Sequence, residues 1–108
     1  QIAEKKIKNA ARNKHAQMEK VLVQKYGRKA FDAMEDFRPY IGMPEGIVRE
    51  YKVVMKDVNF IAYGFVRVEN GYKVYLPTRL FAMTASYINA RFPRAIYTKN
   101  GKVAAIKW

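Results

Sequence analysis

The stretch ENGYKVYLPTRLFAMTASYINARFPRAIYTKNGKVAAIKW, residues 69–108, holds two Asn-Gly pairs, Asn70-Gly71 and Asn100-Gly101, on either side of one helix-like segment. Asn-Gly is the strongest short-range hairpin signal, because both central residues of a type I′ turn need positive φ and these two accept it. The first turn returns the chain as a strand from Tyr72 to Leu76. Pro77 ends that strand, and Thr78 is placed to cap a helix from Arg79 to Arg91. Leu80, Phe81, Thr84, Tyr87, Ile88 and Arg91 share one broad helical face, expected to cover a sheet, with Arg79, Met83, Ser86 and Asn89 towards the other. Pro93 is the expected stop. Ala95–Thr98 and Val103–Lys107 then read as a second hairpin with Lys99 facing Lys102 across its turn. Like charges so placed are mildly destabilising, and an anion between them relieves that cost.

Upstream, Ile47, Tyr51, Val53 and Met55 alternate with Val48, Glu50, Lys52 and Val54, which predicts a strand. Lys56-Asp57-Val58-Asn59 is the expected turn into a second strand, Phe60 to Val68. With Tyr72–Leu76 these make a three-stranded antiparallel meander. Ile2 to Lys25 contains no Gly or Pro, and Ile7, Ala11, Met18 and Leu22 recur at helical spacing. The second half of this helix is expected to dock on the core, and the first half, with Lys5, Lys6, Lys8, Arg12 and Lys14, to project as a basic arm. Gly27 separates it from a second helix, Arg28 to Arg38, that would bury Ala30, Phe31, Met34 and Phe37. Its Asp32, Glu35 and Asp36 are expected to be solvated or to pair with cations of the first helix. Residues 39–46, with Pro39, Gly42, Pro44 and Gly46, read as a loop. The predicted fold class is α+β in the order ααβββαββ: two N-terminal helices, a three-stranded antiparallel meander, one helix and a C-terminal β-hairpin. The size fits a single domain over 1–108, made of a basic helical pair (1–38) and a sheet-plus-helix unit (47–108).

The formal net charge is +12, unevenly placed: +7 over residues 1–29, −2 over 30–71 and +7 over 72–108. From Asn70 to the end there is no Asp or Glu. A field of this sign concentrates polyanions, and nucleic acid is the commonest such partner of a small basic domain. With no cysteine, a disulfide framework, a zinc ribbon and thiol catalysis are excluded. No apolar run reaches membrane-spanning length and no signal-like segment opens the chain, so a cytoplasmic protein without a membrane partner is expected. A chain that begins at Gln1 is expected to have lost residues before it.

His15 is the one histidine. It reads as a surface or helix-packing residue, and no metal or cofactor is expected. The acid-x-lysine spacing of Glu50-Tyr51-Lys52 is that of some metal-dependent nucleases, but Asp36 and Glu45 are badly placed to supply the second carboxylate. A metal-free ribonuclease would draw on Arg67, Arg79, Tyr75 and Glu69. Binding chemistry is better supplied, because cations neutralise phosphates and aromatic rings stack bases. The expected nucleic-acid contacts are Lys5, Lys6, Lys8 and Arg12 on the first helix, with Lys73, Tyr75, Arg79, Arg91, Arg94, Tyr97, Lys99 and Lys102, Tyr75 and Tyr97 being exposed. The leading expectation is a small non-catalytic nucleic-acid-binding protein of phage or ribosome-associated type, acting on DNA or RNA through the phosphate backbone. An inhibitor or adaptor that docks on an acidic protein surface is the alternative, and a small ribonuclease toxin the third. The hairpin–helix–hairpin order over 59–107 is loosely similar to the double-wing DNA-binding domain of a phage middle-promoter activator. That resemblance rests on the paired Asn-Gly hairpins and assigns no family.

Overall fold

Both Asn-Gly turns form with the backbone they demand: φ is positive at Asn70, Gly71, Asn100 and Gly101 in the computed structural model. The structure describes the backbone of residues 2–55 and 58–108, and the side chains of residues 12–55 and 58–108. In chain order the elements are α1 (Ile2–Tyr26), α2 (Arg28–Glu35), α3 (Glu45–Glu50), β1 (Lys52–Met55), β2 (Val58–Ile61), β3 (Tyr63–Glu69), β4 (Tyr72–Pro77), α4 (Arg79–Tyr87), β5 (Ala95–Lys99) and β6 (Lys102–Lys107). The α+β class stands, while the element count and the sheet arrangement differ from the expectation.

Two antiparallel sheets replace the predicted meander and separate hairpin. β1 and β2 make a two-stranded sheet, and β3-β4-β5-β6 make a continuous four-stranded one. The predicted strand 60–68 breaks at Ala62, whose amide bonds Tyr51 O at 3.4 Å and whose carbonyl accepts from Thr78 N at 2.9 Å. Residues before Ala62 pair back on β1 and residues after it pair on β4. Lys56 and Asp57 of the expected turn lie outside the described residues.

The predicted strand 47–55 is a correction of another kind, since its first part is the helix α3. Pro44 supplies the preceding extended residue and Glu45 the acid in the first turn. Buried Ile47, Val48 and Tyr51 lie at i, i+1 and i+4, one helical face, which β-branched composition disguised as alternation. The other helices stop early for a shared reason. Phe37 and Asn89 adopt positive φ, and the next amides bond back, Arg38 N to Ala33 O and Ala90 N to Ala85 O, both at 2.8 Å. α2 therefore ends at Glu35 rather than Arg38, and α4 at Tyr87, before Pro93 is reached. Thr78 does cap α4, its hydroxyl accepting from Phe81 N at 3.3 Å. The buried side of α4 is Phe81 and Ala85; Leu80, Tyr87 and Ile88, expected to cover the sheet, are exposed, Tyr87 to 92%.

One core joins the helical and sheet halves: Leu22, Phe31, Met34, Met43, Ile47 and Val48 pack with Tyr75, Ile96 and Val103. Phe81 extends it, its ring 5.0 Å from Phe37 and 5.3 Å from both Tyr63 and Phe92. α1 docks through Met18, Leu22, Val23 and Tyr26, as its apolar stripe predicts. Among the described residues no helix is long and apolar enough to cross a membrane.

Gly46, read as a loop residue, instead lets α3 pass against α1. A Cβ there would lie 2.6 Å from Tyr26 Cζ and 2.7 Å from Cε1. Gly46→Ala is therefore expected to destabilise by about 1–3 kcal/mol through overpacking. Urea denaturation checks this, and in a Tyr26→Ala background the penalty should disappear.

Candidate nucleic-acid interface on the open face of the sheet

The link between β4 and β5 runs through α4, so the β3–β4 and β5–β6 turns lie together at the opposite end of the sheet. Directly paired residues of an antiparallel sheet share a face, and neighbours along a strand alternate. Arg67 pairs with Val74, Val74 with Tyr97 and Tyr97 with Ala105, making one row. On the same face nearer the turns, Glu69 pairs with Tyr72 and Lys99 with Lys102; at the far end Lys107 pairs with Ala95. The other face carries Tyr75, Ile96, Ile106, Thr98 and Val103, and it meets the core. A β-bulge between Phe65 and Arg67 turns Arg67 to the open side.

On the open face Arg67, Lys99, Lys102 and Lys107 are exposed, and Tyr72 and Tyr97 are half-buried. Lys99 Nζ lies 5.0 Å from the Tyr72 ring centroid. The Glu69 carboxylate is taken up by Arg67 at 2.9 Å. A groove here is lined by Glu69, Asn70, Tyr72, Tyr97 and Ala105. The expected Lys99–Lys102 pair is present, with no acid between its members in the sheet register.

The other expected contacts scatter. Lys5, Lys6 and Lys8 lie on α1, but their side chains are outside the described residues, and Arg12 is exposed there. Arg79, Arg91 and Arg94 are exposed near the α4 end of the sheet, Arg91 with its guanidinium 5.2 Å from the Trp108 ring centroid. Tyr75, expected to be exposed, is a correction: it is 1% exposed, because its position in the register turns it into the core. The residues expected of a ribonuclease do not converge either. Arg67 and Glu69 hold each other on the open face, Tyr75 lies on the opposite one, and Arg79 is in the first turn of α4. His15 packs between helices, its Nε2 2.8 Å from Glu35 Oε1 and its ring edge-on to Phe31. Among the described residues no group of three His, Cys, Asp or Glu could hold a metal.

Lys73 faces the core side, where the sequence had concealed a buried carboxylate. Glu45 Oε2 accepts a 2.6 Å hydrogen bond from Tyr75 Oη and lies 3.6 Å from Lys73 Nζ. Burial alone would raise the Glu45 pKa, but the Tyr75 phenol, the Thr98 hydroxyl, Lys73 and Arg49 together hold it below its ordinary 4.5. The Thr98 hydroxyl, fully buried beside it, makes no well-directed hydrogen bond among the described residues. Burial, then the neighbouring carboxylate, pushes Tyr75 up to about 12. Three further residues of the open face, Arg67, Tyr72 and Lys107, are not among the expected contacts. Counting outward from each Asn-Gly turn pairs Tyr72 with Glu69 and puts Tyr97 on the same face as Lys99, but it does not join the two hairpins.

Tyr75→Phe should cost about 1.5–3 kcal/mol, the range for a hydrogen bond to a charged group. Because folding lowers the Glu45 pKa, its contribution is fully present above about pH 4.5 and is lost as pH falls through the lower folded value. Glu45→Gln should therefore reduce stability near neutral pH and flatten the acid limb of a urea-midpoint profile. Parallel acid limbs in the two proteins would contradict the assignment.

No family model, curated protein or solved structure matches the chain, so the reading of this face rests on its own geometry.

Proposed function

We propose that this is a small basic nucleic-acid-binding protein that receives the phosphate backbone on the open face of its four-stranded sheet. One observation carries the reading: the strand register gathers Lys99, Lys102 and Lys107 with Tyr72 and Tyr97 on one solvent-facing surface, whose carboxylate, Glu69, is already neutralised by Arg67. Lys99 and Lys102, paired without an acid between them, are electrostatically unfavourable alone and favourable beside phosphates, which release counterions when bound, and Lys107 extends the positive charge along β6. Arg12 on α1, and Arg79, Arg91 and Arg94 beyond the α4 end of the sheet, add exposed positive charge outside this face. The ammonium donors and aromatic rings of the open face suit binding to a polyanion.

A second reading, docking on an acidic protein surface, draws on β3, where Phe65, Val66 and Val68 are exposed along an edge strand. Apolar groups there would suit a protein partner and contribute nothing to phosphate binding.

With about three phosphates engaged by the open-face lysines, log K should fall against log salt with a slope of roughly −2 to −3. Lys99→Ala combined with Lys102→Ala should reduce the magnitude of that slope by about 1.5 and weaken binding to every sequence alike. A fluorescence-anisotropy titration over a range of salt reads both quantities. Absence of binding to DNA and RNA at low salt, in protein shown to be folded, overturns the reading.

A further inference from the structure

The open face offers more than charge. Tyr72 and Tyr97 sit on adjacent strands, β4 and β5, in neighbouring rows of the register, and both line the same groove. Such diagonal neighbours are about 7–8 Å apart at the backbone, within reach of aromatic side chains. Tyr97 carries no cation or ring over its face among the described residues, and the face of Tyr72 is occupied by the Lys99 ammonium. A tyrosine on an open sheet face, with its ring half-buried rather than packed into the core, is a platform for another flat ring.

Resting on the nucleic-acid reading above, we propose that the ligand is a single strand of nucleic acid, with consecutive unpaired bases stacked on Tyr97 and Tyr72 and its phosphates following Lys99 and Lys102. A duplex keeps its base faces stacked inside and shows the sheet only phosphates and groove edges, so the two rings would be idle against it. Unpaired bases expose their faces, and every base has one, so recognition of this kind is tolerant of sequence. The Lys99 ammonium would leave the Tyr72 ring as a base takes its place and would move onto the adjoining phosphate. That exchanges a cation–π contact for a charge-assisted hydrogen bond and a stacked pair. The Arg67–Glu69 pair fits the same picture: it keeps a carboxylate in the groove from repelling the strand.

The test is fluorescence anisotropy of the full chain with labelled oligo(dT), oligo(rU) and a mixed-sequence duplex, each of about 12 units, the scale of a single-strand site on one small domain. Expected are single strands, DNA or RNA, bound at least about tenfold tighter than duplex, and losses of about tenfold for Tyr72→Leu and for Tyr97→Leu on single strands alone. Tyr72→Phe and Tyr97→Phe, which keep the ring, should bind as the native protein does, and leucine variants that keep the native circular dichroism spectrum and duplex affinity show that their single-strand loss is not a folding defect. Equal or tighter binding of duplex, or leucine variants that weaken single strand and duplex alike, overturns the single-strand inference and leaves the phosphate reading standing. Binding to none of the three overturns both.

Discussion

Backbone pairing of β4 with β5, Lys73 with Thr98, Val74 with Tyr97 and Tyr75 with Ile96, turns two local hairpins into one sheet. An isolated two-stranded hairpin is marginal in water, and joining two of them gives four strands with a face to bury. The same pairing decides which side chains meet. It sets Tyr75 and Ile96 against the helices and leaves the half-buried Tyr97 and the exposed Lys99–Lys102 pair on the opposite face. A slip of one residue would exchange these two populations, so the apolar face enforces the register that assembles the polar one.

The pairing is braced from the core side by the start of α3. Glu45 N donates to Gly101 O at 2.9 Å, and the Glu45 carboxylate receives the Tyr75 phenol. Beside it Gly42 N bonds Val103 O and Val103 N bonds Met43 O, both at 2.8 Å, with Pro44 bridging to Lys102. The segment before α3 thus covers part of the β6 edge and ties the second turn to the helical layer. Among the described residues the β3 edge has no strand beyond it, and there the bulge and the Arg67–Glu69 charges interrupt what would otherwise be a flat apolar strand.

The acids of the middle segment act mostly within the molecule. Glu35 takes His15, Glu50 takes Lys25, Glu45 takes Lys73 and Glu69 takes Arg67, while Glu19 on α1 takes Arg28. Apart from that of the buried Glu45, these pairs are solvent-exposed and contribute only about 0–1 kcal/mol each. Their larger effect is on the field: carboxylates spent on internal partners do not oppose the lysines of the last third. Thus a chain with a formal +12 presents much of that excess on surfaces where little offsets it.

Local rules were enough for the parts of the protein that local chemistry decides. Asn-Gly demanded two tight turns, Thr78 capped its helix, the 3.6-residue stripe through Met18 and Leu22 docked α1, and Lys99 met Lys102 across a turn. What the sequence by itself determined, then, was the α+β class, the turns and the placement of charge, because each follows from neighbours within a few residues. Where a segment could satisfy two periods or two partners, tertiary packing chose: Ile47 and Val48 became a helical face, Ala62 divided one expected strand between two sheets, and Tyr75 went inside with Glu45. The open face belongs to this second group. Tyr72 and Lys99 are distant in the chain, and they meet because β4 and β5 hydrogen-bond across the intervening α4 in a register set by the burial of the opposite face.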